Sequence, residues 1–151
     1  MLQLLIAFTL SAAVPSVPDG LPVAPLDLAP GTQTVALREP LIARHAGASL
    51  VLLVRDRAAL GVPAHDQVGG FERAVPAGTV TARLRGPDGA DLVLRHTGYV
   101  YHRGQAGLLL TGPGGGKARY DSLDIEARRA LPGVRFVWLD RPGRLLDDVR
   151  F

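Results

Sequence analysis

Glycine and proline fall between short apolar runs along most of this sequence, and that punctuation constrains the fold more than any other feature. Eighteen Gly and twelve Pro in 151 residues interrupt helices and mark turns. Between the interruptions the side chains alternate with period two. Val80, Ala82 and Leu84 alternate with Thr79, Thr81, Arg83 and Arg85, which is the pattern of a half-buried strand. The turn Gly86-Pro87-Asp88-Gly89 follows, and then Leu92 and Leu94 alternate with Val93 and Arg95. Strand, Pro-Asp-Gly turn and strand predict a β-hairpin.

A second hairpin is predicted near the end. Leu123, Ile125 and Ala127 alternate with Ser122, Asp124, Glu126 and Arg128. The pair Pro132-Gly133 reads as the turn, and Val134, Phe136 and Trp138 form the returning apolar face. Leu50 to Val54 is apolar on both faces and reads as a central strand. Val35 to Ile42 is interrupted by Pro40, which removes a ladder donor and places that strand at an edge or a bend. Ala106 to Leu110 adds a further strand, ended by Gly112-Pro113-Gly114-Gly115-Gly116. One or two turns of helix are expected around Asp56 to Leu60.

Seven to eight strands in roughly 110 residues predict an all-β fold, an immunoglobulin-like antiparallel β-sandwich. The pattern resembles that of exported bacterial immunoglobulin-like domains, an architecture that carries no activity of its own. A transmembrane barrel fits poorly, because its strands need about ten residues and aromatic girdles. Aromatic residues make up 5% of this chain.

The first 31 residues differ from the rest. Leu2 to Val14 is an apolar run followed by small residues, with Ser11 and Ala13 in a small-x-small pattern. Residues 1–13 are therefore expected to be a signal peptide cut after Ala13. The run is too short to span a bilayer as a helix, so no membrane span is expected after cleavage. The first basic residue is Arg38, so charge ahead of the apolar core must come from the amino terminus or from upstream. Residues 14–31 contain five prolines and read as an extended linker, leaving 32–151 as the folded domain. The expected location is periplasmic or secreted.

Composition narrows the chemistry. The absence of Cys excludes disulfides, thiolate metal sites and a Cys nucleophile. The net charge is +3, but the Arg residues are scattered, and no basic stripe with stacking aromatics suggests nucleic acid. Gly112 to Lys117 departs from a phosphate-binding loop at both ends, with Thr111 and Ala118 where Gly and Ser or Thr belong. Of the four histidines, His96 and His102 would stand roughly 20 Å apart on a continuous strand, too far to share an ion. No serine stands in a nucleophile-elbow setting, and no catalytic residue, metal site or cofactor is assigned.

The stretch Arg95-His-Thr-Gly-Tyr-Val-Tyr-His-Arg103 stands out. On an unbroken strand Arg95, Thr97, Tyr99, Tyr101 and Arg103 share one face. Tyr rings with polar tips beside planar Arg donors suit a protein or glycan ligand of the cell envelope. Arg95, Tyr99, Tyr101 and Arg103 are the candidate ligand-binding residues, and a bulge at Gly98 would dissolve that face. The function expected is an exported, non-catalytic binding or envelope-interaction module. The alternative is a metal-dependent protein or hydrolytic enzyme that uses loop residues such as His65 and Asp66. The apolar residues Leu145, Leu146, Val149 and Phe151 in the tail suggest docking on the domain or on a partner.

Overall fold

The computed structural model describes residues 21–22, 24–44, 46–102, 104–113 and 117–139. The expected signal peptide, Arg103 and the tail lie outside them. The described chain is all-β, with one large antiparallel sheet, one small sheet and little helix. Ten strands follow in order: β1 Leu26–Leu28, β2 Gly31–Val35, β3 Leu41–Ala43, β4 Ser49–Val54, β5 Val80–Arg85, β6 Asp91–His102, β7 Gln105–Thr111, β8 Ala118–Tyr120, β9 Ser122–Ala127 and β10 Leu131–Leu139. A 3-10 turn at Ala58–Leu60 and the helix α1, Gln67–Ala74, lie between β4 and β5.

The large sheet has the order β1-β10-β4-β7-β6-β5-β9-β2, and β3 pairs with β8 in the small one. The end strands β1 and β2 are consecutive in the chain. Leu28 lies opposite Leu131 and Gly31 opposite Ala127. Only Ala29 and Pro30 separate Leu28 from Gly31, a span of at most about 11 Å. The sheet therefore rolls until its two edges meet at that end. Its hydrogen bonding runs through one eight-stranded ladder rather than two separate large sheets.

All eight strands turn one face to a single interior cluster. Leu50, Leu52 and Val54 of β4, Leu84 of β5, Ile125 of β9 and Trp138 of β10 belong to it, all buried. The alternation read in β5, β9 and β10 matches this burial. Trp138 is buried, meets the Tyr120 ring edge-on at 6.4 Å, and donates from Nε1 to the Ile42 carbonyl at 2.9 Å. That bond joins the small sheet to the large one.

β4 is central as expected, flanked by β10 and β7. Its outward residues Val51 and Leu53 form a second, outer cluster with Val137. β2 is an end strand, and the chain beyond Pro40 leaves the large sheet as β3.

The Gly86–Gly89 hairpin forms, with Gly86 N–H donating to the Ala90 carbonyl at 2.8 Å. The second predicted hairpin does not. β9 pairs with β5 and β2, whereas β10 pairs with β4 and β1. Pro132 and Gly133 lie inside β10, where Gly133 takes a positive φ of 64° and donates to Asp27 Oδ1 at 2.8 Å. Period-two alternation finds strands but does not name their neighbours.

Within the expected linker, Leu26–Leu28 form β1, and Leu21 and Leu28 are buried in the interior cluster. Proline marks its turns without preventing three residues from pairing at a sheet edge.

Candidate functional site

The candidate region is the corner where α1 meets the end of β6. Its local cause is a bulge. Between His96 and Gly98 the register of β6 against β7 shifts, so Thr97 is the extra residue. The bulge resets the alternation. Arg95 points outward and is exposed, while His96, Tyr99 and Tyr101 turn toward the interior and α1. The single face drawn from Arg95 to Arg103 therefore does not form. Tyr99 and Tyr101 come together, Arg95 lies on the opposite side of the strand, and Arg103 is outside the described residues.

Helix α1 explains what the tyrosines do. Its two glycines lie where the helix runs close to other groups. A Cβ on Gly70 would sit 3.0 Å from Pro63 Cδ and 3.1 Å from Val62 Cγ1. A Cβ on Gly69 would sit 2.9 Å from Asp66 Oδ1, in the path of the Asp66–Arg73 ion pair. Phe71 is fully buried and meets both tyrosine rings edge-on, at 6.0 Å for Tyr99 and 6.4 Å for Tyr101. The C-terminal carbonyls have partners: Arg129 Nη1 donates to Ala74 O at 2.8 Å and the Tyr99 hydroxyl to Val75 O at 2.6 Å. At the other end Arg57 donates to Gln67 O at 3.3 Å and Gly104 O at 2.9 Å, tying α1 to the β6–β7 turn.

Tyr101 is held differently. Its hydroxyl donates to Glu72 Oε1 at 3.0 Å, with Val68 O at 3.5 Å, yet the residue is 41% exposed. Val68 beside it is 53% exposed. Burial of the hydroxyl and the Glu72 carboxylate push the Tyr101 phenol up to about 12, so it remains a neutral donor across physiological pH. Burial raises Tyr99 as well. The corner presents an aromatic ring and a Val side chain to solvent, with Glu72 and Arg57 close by.

His96, behind this corner, is buried, and its ring meets Tyr99 edge-on at 4.9 Å. Neither ring nitrogen makes an aligned hydrogen bond. Burial lowers its pKa; the backbone of Gly98 and Pro76 lies near enough to oppose that shift but not to overcome it.

The other candidate chemistry is dispersed. His65 is exposed, and Asp66 is committed to Arg73, whose guanidinium holds the carboxyl below its usual range. Among the described residues no three His, Asp or Glu side chains gather into a metal-binding group. Gly112 abuts β6 so closely that a Cβ would lie 2.2 Å from the Val93 carbonyl oxygen, so packing alone requires glycine there. The nearby groove, about 460 Å³, carries Asp88 and Asp91 as well as Lys117 and Arg119, and so has no single sign of charge.

Sequence reasoning missed α1 and with it Val68, Phe71, Glu72 and the role of Arg57. Gly69-Gly70 reads as a breaker. The usable signal was Val68, Phe71 and Val75 at helical spacing after Asp66, with Arg73 in the last turn. Compared with family models, curated proteins and solved structures, the chain matches none of them.

Proposed function

We propose that this chain is an exported, non-catalytic binding module of the cell envelope, which holds a protein or glycan partner at the α1–β6 corner. In this reading the halves of the rolled sheet act as the two layers of an immunoglobulin-like sandwich, and the corner is its recognition surface. The observation that carries the proposal is Tyr101, whose hydroxyl is bonded to Glu72 while 41% of the residue stays in solvent beside the exposed Val68. A ring held from behind loses little freedom when a ligand covers it, which favours affinity for a flat apolar sugar face or a peptide side chain. Tyr99 positions α1, and Tyr101 makes the contact.

The test is a binding screen of the processed protein against envelope glycans and extracted envelope proteins, with Tyr101→Ala and Arg95→Ala in parallel. Tyr101→Ala should weaken binding at least about tenfold, and Arg95→Ala should leave it unchanged. Equal binding by all three proteins overturns the assignment. A zinc- or copper-specific thermal shift lost in His65→Ala would favour a metal-dependent protein instead. The export half is tested separately: the envelope fraction should yield a protein whose first residue is Val14.

A further inference from the structure

His96 is 3% exposed on the inner side of β6, opposite Leu110 of β7. Among the described residues the buried polar side chains are His96 and Thr79, and the turn from α1 into β5 ties them together. Gly78 N–H donates to the His96 carbonyl at 3.3 Å, while the Thr79 amide and hydroxyl both donate to Pro76 O. The Pro76 backbone lies near the imidazole, but its carbonyl is thus already engaged. Both ring nitrogens are buried without a hydrogen-bond partner. A neutral imidazole leaves one donor and one acceptor unmet there. A protonated ring would leave two donors and a charge, which costs far more. The groups around the ring offer no relief. From β6 the Tyr99 ring meets it edge-on at 4.9 Å, with its hydroxyl turned to Val75 O. On α1 the Glu72 carboxylate is held by the Tyr101 hydroxyl. After β9 the Arg129 guanidinium is held by Ala74 O, and it would repel an imidazolium. Burial, and no charged side chain, lowers the affinity of the ring for a proton.

We propose that His96 is a proton-operated latch on α1: when its ring takes up a proton, residues 75–79 move off it and the Tyr99 bond that closes the helix is lost. The added proton needs water or the Pro76 carbonyl, and either requires that turn to move. The same turn carries Val75 O, which accepts from the Tyr99 hydroxyl at 2.6 Å. Its release frees the C-terminal end of α1, and α1 carries the Glu72 that holds Tyr101. The corner is therefore set at neutral pH and loosened in acid. The closed form binds the proton more weakly than the open form, which titrates near the ordinary 6.5. Opening is thus suppressed above about 6.5 and grows as the pH falls below it. The opening of α1 needs no ligand; release of a ligand in acid rests on the function proposed for the corner.

Amide hydrogen exchange of the full chain between pH 7.5 and 5.5 tests the latch, read at two amides bonded within α1, Gly70 to Asp66 O and Val75 to Phe71 O. After correction for intrinsic exchange, their opening should rise several-fold as the pH falls, with a ceiling of about tenfold for one proton. The Gly86 amide in the distant β5–β6 turn should not rise. His96→Leu and His96→Gln should each abolish the rise at α1. Flat exchange at Gly70 and Val75 overturns the proposal, because His96 then titrates without opening the helix. An equal rise at Gly86 overturns it too, since the whole molecule is then opening. A rise that survives in the His96 variants assigns the effect to another group and overturns it as well. Should neither variant fold, the His96 Cε1–H signal of the unaltered protein decides: a ring that titrates at the ordinary 6.5 has no closed form to resist the proton, and the latch is lost. Exchange is read without ligand, so a failed binding screen would sink the function proposed for the corner and leave the latch standing.

Discussion

Gly112 and Gly98 both touch the β6–β7 region, yet they answer to different constraints. The missing side chain of Gly112 makes room for the Val93 carbonyl, and backbone cannot yield as a flexible side chain can. Gly112→Ala should cost at least about 2 kcal/mol in urea denaturation. At Gly98 the nearest atom to an added Cβ is Leu109 Cδ2 at 3.9 Å, so Gly98→Ala should change stability by less than about 1 kcal/mol. His96 is the other residue with a measurable signature. Its pKa is lowered in the folded protein by burial, while the unfolded chain titrates near the ordinary 6.5. Below that pH the unfolded state takes up the proton that the folded state resists, so stability is retained above about 6.5 and falls as the pH drops. Melting temperatures of wild type and His96→Leu from pH 7.5 to 5.0 should show a steeper decline in wild type. Parallel curves would mean that His96 does not titrate across folding.

The helix α1 depends on the tyrosines that close its far end. Tyr99→Phe removes the bond to the Val75 carbonyl and should cost about 1 kcal/mol, with faster amide exchange in α1. Tyr101→Phe should cost less, because its bond to Glu72 is exposed. An equal loss for both would place Tyr101 in the structural framework and remove its distinction as a contact residue. Strands were legible as elements: β5 and β9 fall where alternation put them, and β4 and β7 where short apolar runs bounded by turn residues put them. Pairing was not, since β9 and β10 are adjacent in the chain and go to different neighbours. The bulge at Thr97 was legible only as a possibility at Gly98, because inserting one residue in a strand leaves no trace in composition. The Tyr pair of the candidate site was found, but its partner helix was not.

For the whole molecule, the rolled sheet depends on its first strands. β1 covers the free edge of β10, and β2 that of β9. Removing residues 1–30 takes away β1 and should leave β10 open to pairing with other chains, visible as aggregation in size-exclusion chromatography. Removing residues 1–20 keeps both strands and should leave a folded protein that does not aggregate in the same measurement. Aggregation of both truncations would show that the strand edge is not the cause.

The sequence by itself determined that the chain would be built from short antiparallel strands, which residues of β5, β9 and β10 would face inward, and that β4 would be central, because apolar pattern and turn residues act within a few positions of one another. Tertiary structure alone decided which strands pair, that Leu26–Leu28 joins the ladder, and that α1 forms against Phe71 and the two tyrosines. Those outcomes depend on contacts between residues far apart in the chain, and local periodicity carries no record of them.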